Sequence, residues 1–292
     1  MRNNMVNRCF CVADLVFALR LPGQVAVDSL LPLFRPFRCA ASAPGGRLFR
    51  CAVLPASELT EGVAGNLADE VSSAGVRMAF YAVPGGYRVE AAVGGAGATL
   101  LADDGFADMR LWADLSSPQA SRLLTALLGV AWSQALLRRG GVALRAWGEV
   151  RQGRAYVLVP EGSPDAPWLL LPDGGTLALR VVDDGMVLAY ATPWSHADCP
   201  LSVGGCSFPV GGVARLCPSS SVRFRRQGGV DAFAVLYPGC AVVGKDDELR
   251  NRLYDVLARL ASAVPVGTLH CPPGLDVVRL LRQEAAPCMT EP

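Results

Sequence analysis

Between Gly153 and Trp168 the chain reads Gly-Arg-Ala-Tyr-Val-Leu-Val-Pro-Glu-Gly-Ser-Pro-Asp-Ala-Pro-Trp, an apolar strand running into a loop. The layout is that of a strand entering a phosphate-binding loop. Such a loop holds phosphates with successive backbone N–H groups and a Lys, and it sets a Ser or Thr hydroxyl on the metal. Here Pro160, Pro164 and Pro167 have no N–H, and Asp165 stands at the Lys position. Ala166 and Pro167 fall on the hydroxyl positions, while Glu161, Gly162 and Ser163 complete the loop. Two like unit charges at ~4 Å cost about 4 kcal/mol at an effective dielectric of about 20, so Asp165 repels the phosphate a Lys would attract. Residues 160–168 cannot cradle a triphosphate in the usual way.

A second loop, Gly239-Cys-Ala-Val-Val-Gly-Lys245-Asp246, comes close to the same motif. Asp246 replaces the hydroxyl residue and the loop interior is apolar, so a strand over Phe233–Tyr237 followed by an Asp N-cap is the expectation. His196, Cys199, Cys206 and Cys217 are irregularly spaced and include no Cys-x-x-Cys pair, so no metal site is expected. His196 and His270 are the only histidines, and there is no Gly-x-Ser-x-Gly, which leaves hydrolase triads without support.

The elements around these loops follow from apolar periodicity and turn residues. Arg50–Leu54, Val76–Val83 and Tyr87–Val93 read as strands, the last two joined as a hairpin by Pro84-Gly85-Gly86. The glycines around residue 95 read as another turn. A helix follows, with Ser117 as cap, Pro118 at its first position and Gly140 at its exit. Leu123, Leu124, Leu127, Leu128, Ala131, Leu136 and Leu137 give it a broad apolar face. Beyond it the expectations are strands over Val142–Trp147, Ala155–Val159, Gly175–Val182, Met186–Tyr190 and Val210–Leu216, with a turn over Glu149–Gly153. An Asp246-capped helix, a strand over Gly267–His270 and a helix over Asp276–Arg282 complete the order. Three regions result: a β-rich portion at 1–115, an α/β core at 116–283 and a loose tail at 284–292.

The chain has 292 residues, 51% hydrophobic and 18% charged, with a formal net charge of +1, so it can bury a large core and carries no polyelectrolyte signature. Neither nucleic acid nor a membrane is expected as a partner. The apolar run from Leu123 to Leu137 is too short to cross about 30 Å of hydrocarbon, and Asp14 interrupts the apolar stretch near the start. Ten cysteines without a disulfide pattern read as reduced, buried small hydrophobes, and the expected compartment is cytoplasmic.

From Ser117 to Arg282 the order of motifs resembles the HPr kinase/phosphorylase-like family, whose P-loop core is PEP carboxykinase-like. Arg139-Gly140-Gly141-Val142-Ala143-Leu144-Arg145-Ala146 is similar to that family's Arg-Gly-Gly strand. Val181-Val182-Asp183-Asp184 is similar to its acidic pair, roughly twenty positions past the loop. Ala191-Thr192-Pro193-Trp194-Ser195 is similar to its Gly-Thr-Pro-Trp-Ser segment, with His196 in place of the following Gly. Pro209–Leu216 and Val264–Cys271 are similar to its later strands. The resemblance implies an α/β fold with a mixed, α+β-like sheet. It also implies that Asp183 and Asp184 once positioned Mg²⁺ and served as base towards a hydroxyl. Asp-Asp-Gly is equally a good turn between strands, and the turn is the favoured reading. Thr192 and Ser195 likewise read as turn and packing residues.

The departures fall where the chemistry would be: the Lys site is Asp165, and the family's upstream His corresponds to Arg145. The implied function is a pseudokinase that has lost its ATP-binding loop and binds a protein or peptide, in keeping with family members linked to peptide modification. No cofactor is then expected. The catalytic alternative is a Ser kinase using ATP and Mg²⁺ through Asp183 and Asp184, with Arg145 or Arg180 replacing the Lys beside Thr192, Trp194 and His196. A purely structural assembly role is the third reading.

Overall fold

The computed structural model describes residues 4–43, 46–59, 64–73, 75–160, 175–182, 184–202, 206–240, 243 and 246–272. They form a mixed α/β protein that divides into two compact units, Met1–Arg139 with Val242–Asn251, and Gly140–Ala241 with Arg252–Pro292.

The first unit is built on nine strands: β1 (Met5–Val12), β2 (Leu15–Pro22), β3 (Arg38–Cys39), β4 (Gly46–Pro55), β5 (Asn66–Ser73), β6 (Val76–Val83), β7 (Gly86–Val93), β8 (Ala96–Asp103) and β9 (Asp108–Ala113). Their order across the sheet is β3-β1-β2-β4-β9-β8-β7-β6-β5. β2, β4 and β9 run parallel, and the remaining pairs are antiparallel. Ala13 and Asp14 at φ 54° and 57° make the tight β1–β2 turn, a conformation that Asp tolerates better than most side chains. That turn explains the interruption at Asp14. The short helix α1 (Val27–Leu30) and a 3-10 segment over Pro32–Phe37 lead to β3.

Side chains alternate across a strand, so this sheet has one apolar and one polar face. On the apolar face Phe17 stacks on Phe49 with ring centroids 4.7 Å apart, and Phe10 stacks on Phe17 at 5.3 Å. Phe34 meets Phe10 edge-on at 5.6 Å. Helix α2 (Ala120–Leu137) packs across β4 and β6 to β9. Its Leu123, Leu124, Leu127, Leu128, Ala131 and Trp132 are at most 1% exposed. By length and composition α2 could cross a membrane, yet 67% of it is buried within the protein.

The expected boundary at 115/116 precedes α2, whereas the packing of α2 joins it to the N-terminal sheet. Its start also differs from expectation. Ser117 and Pro118 form a separate turn, in which the Ser117 carbonyl accepts the N–H of Ala120 at 3.0 Å and Ser117 Oγ that of Gln119 at 3.2 Å. The helix therefore begins at Ala120. Its exit is at Gly140, φ 68°, as the glycine suggests.

The second unit contains β10 (Gly141–Arg145), β11 (Trp147–Arg151), β12 (Arg154–Val159), β13 (Thr176–Val181), β14 (Val187–Tyr190), β15 (Ser207–Pro218), β16 (Arg223–Gln227), α3 (Val230–Leu236), α4 (Asp247–Ala263) and β17 (Val266–Cys271). The strands follow the path β10-β13-β14-β15-β12-β11, with β17 beside β15 and β16 outside β17. The long strand β15 pairs antiparallel with β14 through Ser207–Pro209, then parallel with β12 and β17 farther along.

Three local expectations are corrected here. Val142–Trp147 is not one strand, because the ladder breaks at Ala146 and Trp147 opens β11. Glu149–Gly153 is not the turn: β11 continues to Arg151, and Gln152 and Gly153 at φ 49° and 72° close a two-residue hairpin. Phe233–Tyr237 lies in α3 and the following 3-10 turn instead of a strand. The buried residues Ala232, Val235 and Leu236 fall at helical spacing, and α3 packs on β15 and β17. By contrast Asp246 does cap α4, its Oδ1 accepting the N–H of Leu249 at 2.9 Å. The expected helix Asp276–Arg282 and the tail lie outside the described residues.

Replacing a fully buried core ring leaves a void that neighbours fill only in part. Phe17→Ala should therefore lower stability by about 3–5 kcal/mol in urea denaturation. Val230→Ala, at a side chain 84% exposed, should leave the transition within about 0.5 kcal/mol.

Candidate functional site

Described residues of the second unit that the sequence pointed to fall into two groups at opposite ends of β13. Thr176 opens that strand and receives the segment Thr192–Ser195. The Thr192 hydroxyl donates to the Thr176 carbonyl at 2.5 Å, and the Ser195 hydroxyl donates to the same carbonyl at 2.8 Å. Ser195 Oγ accepts the Thr192 N–H at 2.8 Å, and Thr192 Oγ1 accepts the Trp194 N–H at 3.1 Å. The Thr176 N–H donates to the Trp194 carbonyl at 2.8 Å. Thr192 is 3% exposed. This is a closed network that fixes the turn, and both hydroxyls are spent on it.

Gly175 makes the approach possible. A Cβ there would sit 2.2 Å from the backbone nitrogen of His196. Its carbonyl accepts the Ala146 N–H at 3.1 Å, so the start of β13 is tied to the β10–β11 junction. Arg145, exposed, sits opposite Thr176 in the β10–β13 register. Trp147 sits opposite Leu158 near the end of β12, one residue short of the Val159–Pro160 exit. The His196 ring lies 5.8 Å from that of Trp147, and its Nδ1 accepts the Asp198 N–H at 3.2 Å. Arg145, Trp147, Thr192, Trp194 and His196 therefore gather around Gly175.

The other group lies at the far end of β13. Arg180, half-buried, is opposite Gly141. Asp184 is exposed and its Oδ1 accepts the N–H of Met186 at 2.9 Å, within the turn that Gly185 closes at φ 78°. Thr176 to Val181 spans five residue intervals, about 17 Å of extended strand. Asp184 thus follows the end of β13 opposite to the one that receives the Thr192 turn, and Arg180 lies within the strand, nearer that far end. Asp183 and the loop residues Glu161, Gly162, Ser163, Asp165 and Ala166 lie outside the described residues, and Pro160 is half-buried at the end of β12.

The loop 161–168 and Asp183, where the resemblance implies a nucleotide and Mg²⁺ in catalytic members, lie outside the described residues. The remaining carboxylate of the pair caps a turn, and the hydroxyls are engaged elsewhere. Among the described residues no group of three or more His, Cys, Asp or Glu is placed to hold a metal. His196, Cys199, Cys206 and Cys217 are included in that statement.

Among the buried ionisable groups that sequence reasoning missed is Glu149, which is 4% exposed on β11 opposite Tyr156. It fell in a stretch taken for a turn, so nothing marked it as interior. Nearby Cys199 points its thiol at the Gly148 carbonyl, 3.5 Å away. Burial pushes the Cys199 thiol upward, and Glu149 adds to the shift. Burial also raises Cys51 and Cys240 to about 12, and burial with Cys11 and Cys9 raises Cys39 to about 11. Such thiols carry little thiolate at neutral pH and make poor nucleophiles. Not every cysteine is buried as expected: Cys206 is exposed.

No protein-family model matches this chain, and no curated protein is significantly similar to it in sequence.

Two outcomes follow from this geometry. Gly175→Ala should destabilise the second unit by at least about 1–3 kcal/mol, because backbone must move; a lowered denaturation midpoint would show it. In timed iodoacetamide labelling at pH 8 with mass mapping, Cys206 should react first among the described cysteines. Cys51 should react only after denaturant is added, and Cys240, half-buried with a raised pKa, should react more slowly than Cys206.

Proposed function

We propose that the chain is a degenerate HPr-kinase-like protein, a cytoplasmic pseudokinase that binds a protein or peptide partner instead of transferring phosphate. The observation that carries this reading is the use of the Thr192 and Ser195 hydroxyls, both of which donate to the Thr176 carbonyl. Asp184 is similarly committed to the Met186 N–H. The carboxylate that the resemblance links to Mg²⁺ and substrate holds one turn, and the hydroxyls of the Thr-Pro-Trp-Ser-like segment hold another. In the sequence, Asp165 and three prolines at the phosphate loop point the same way. A peptide of a modification system is the partner class that the family resemblance suggests.

Thermal denaturation with Mg-ATP tests the reading. A ligand at a hundredfold its dissociation constant stabilises by about 2.7 kcal/mol, which is several degrees of melting temperature. Millimolar Mg-ATP should leave the melting temperature unchanged. A rise of several degrees that disappears in Asp183→Ala would establish the catalytic alternative instead.

A further inference from the structure

The polar face of the nine-stranded sheet carries a trough of about 930 Å³, whose described lining residues all belong to the first unit. Its centre is set by the parallel strands β2, β4 and β9. In register, Arg20 lies beside Ala52, and Ala52 beside Arg110. One rung away, Ala18 lies beside Arg50, and Arg50 beside Asp108. Neighbouring strands are about 4.8 Å apart, so Arg20 and Arg110 stand about 10 Å apart with small Ala52 between them. Ala18 and Ala52 make the floor, and arginines make the walls. Arg47 also borders the trough.

Charge in the trough is not balanced. Arg50 pairs with Asp108, and Asp103 Oδ1 accepts the Ala107 N–H at 2.7 Å. Arg20, Arg47 and Arg110 are exposed and make no ion pair among the described residues. Three guanidiniums around a small-residue floor form a receptor for carboxylates, which arginine binds bidentately.

We propose that this trough binds an extended acidic segment of a partner polypeptide. Alternate side chains of an extended chain project to one side at about 7 Å intervals, a spacing that flexible arginines on either side of Ala52 can meet. The trough is open along its length, unlike the concave sites that enclose most of a small ligand. Nucleic acid is disfavoured by the lining itself. Among the described residues no aromatic ring borders the trough, whereas single-strand binding relies on base stacking, and Asp103 and Asp108 interrupt a continuous phosphate track. The inference goes beyond the reading of the second unit, because it involves neither the loop nor the Thr192 turn.

Fluorescence anisotropy of the full chain with a labelled twelve-residue peptide of alternating Glu and Ser tests it. The probes for comparison are the same peptide with Gln for Glu, a labelled dT12 oligonucleotide and tripolyphosphate as competitor. The Glu peptide should bind saturably and lose affinity as salt rises, and the Gln peptide should not bind. Arg20→Gln with Arg110→Gln should weaken binding at least tenfold, and each single variant severalfold. Arg77→Gln, elsewhere on the same face, should leave affinity unchanged, and melting curves should show all variants folded. No saturable binding, undiminished binding by the double variant, or dT12 or tripolyphosphate binding as tightly as the Glu peptide would each overturn the proposal. Neither result alters the Mg-ATP melting response, so this inference and the pseudokinase reading fail separately.

Discussion

Nine strands present two faces, and the helices α1 and α2 with the Pro32–Phe37 turn cover only one of them. That constraint governs the first unit. Burying a Phe or Leu side chain is worth about 1.5–3 kcal/mol, so the face carrying Phe10, Phe17, Phe49, Val53 and Leu111 had to lie under cover. Strand alternation then turns every intervening residue outward. Arg20, Arg50 and Arg110 face solvent for that reason, one residue out of phase with Leu19, Phe49 and Leu111. The polar trough is the reverse side of the same packing decision.

In the second unit a single carbonyl organises the candidate site. Thr176 O accepts two hydroxyls, and Thr176 N donates back into the same turn. A buried hydroxyl without a partner costs about 1–3 kcal/mol, so this mutual satisfaction holds Thr192–Ser195 in place. Each hydroxyl proton is committed to the Thr176 carbonyl, and each oxygen accepts a backbone N–H of the same turn. Gly175 enforces the close approach, since any side chain there would meet the backbone of His196.

Much of the fold was legible because its signals are local. Val76–Val83 is an apolar run that ends at Pro84-Gly85-Gly86, and the hairpin is as read. Asp246 before Leu249 and Leu253 announces a capped helix. The misreadings came where a short apolar run fits either period. Phe233–Tyr237 could pack as strand or helix, and only the spacing of residues buried against β15 and β17 decided. Glu149 was hidden for a related reason: a charged residue next to glycine looks like a turn until its hairpin partner, Tyr156, is known. β5, β8, β9 and β16 escaped notice because their alternation is diluted by Gly, Ala, Asp and Arg.

Residue chemistry at 160–167 was decided by sequence alone, since a proline lacks its N–H and Asp165 is no lysine in any fold. The same holds for the turn that ends β6 and the cap of α4, which depend on neighbours a few positions away. Tertiary structure decided what stands together. Arg20, Arg50 and Arg110 are dispersed along a chain of net charge +1, and no reading of charge along the sequence marks them as a group. They meet because parallel pairing sets β2, β4 and β9 side by side. Asp184 and Thr192, close in sequence, are parted because a strand pair carries them to opposite ends. Sequence proximity sets local conformation, but strand register sets which charges share a surface.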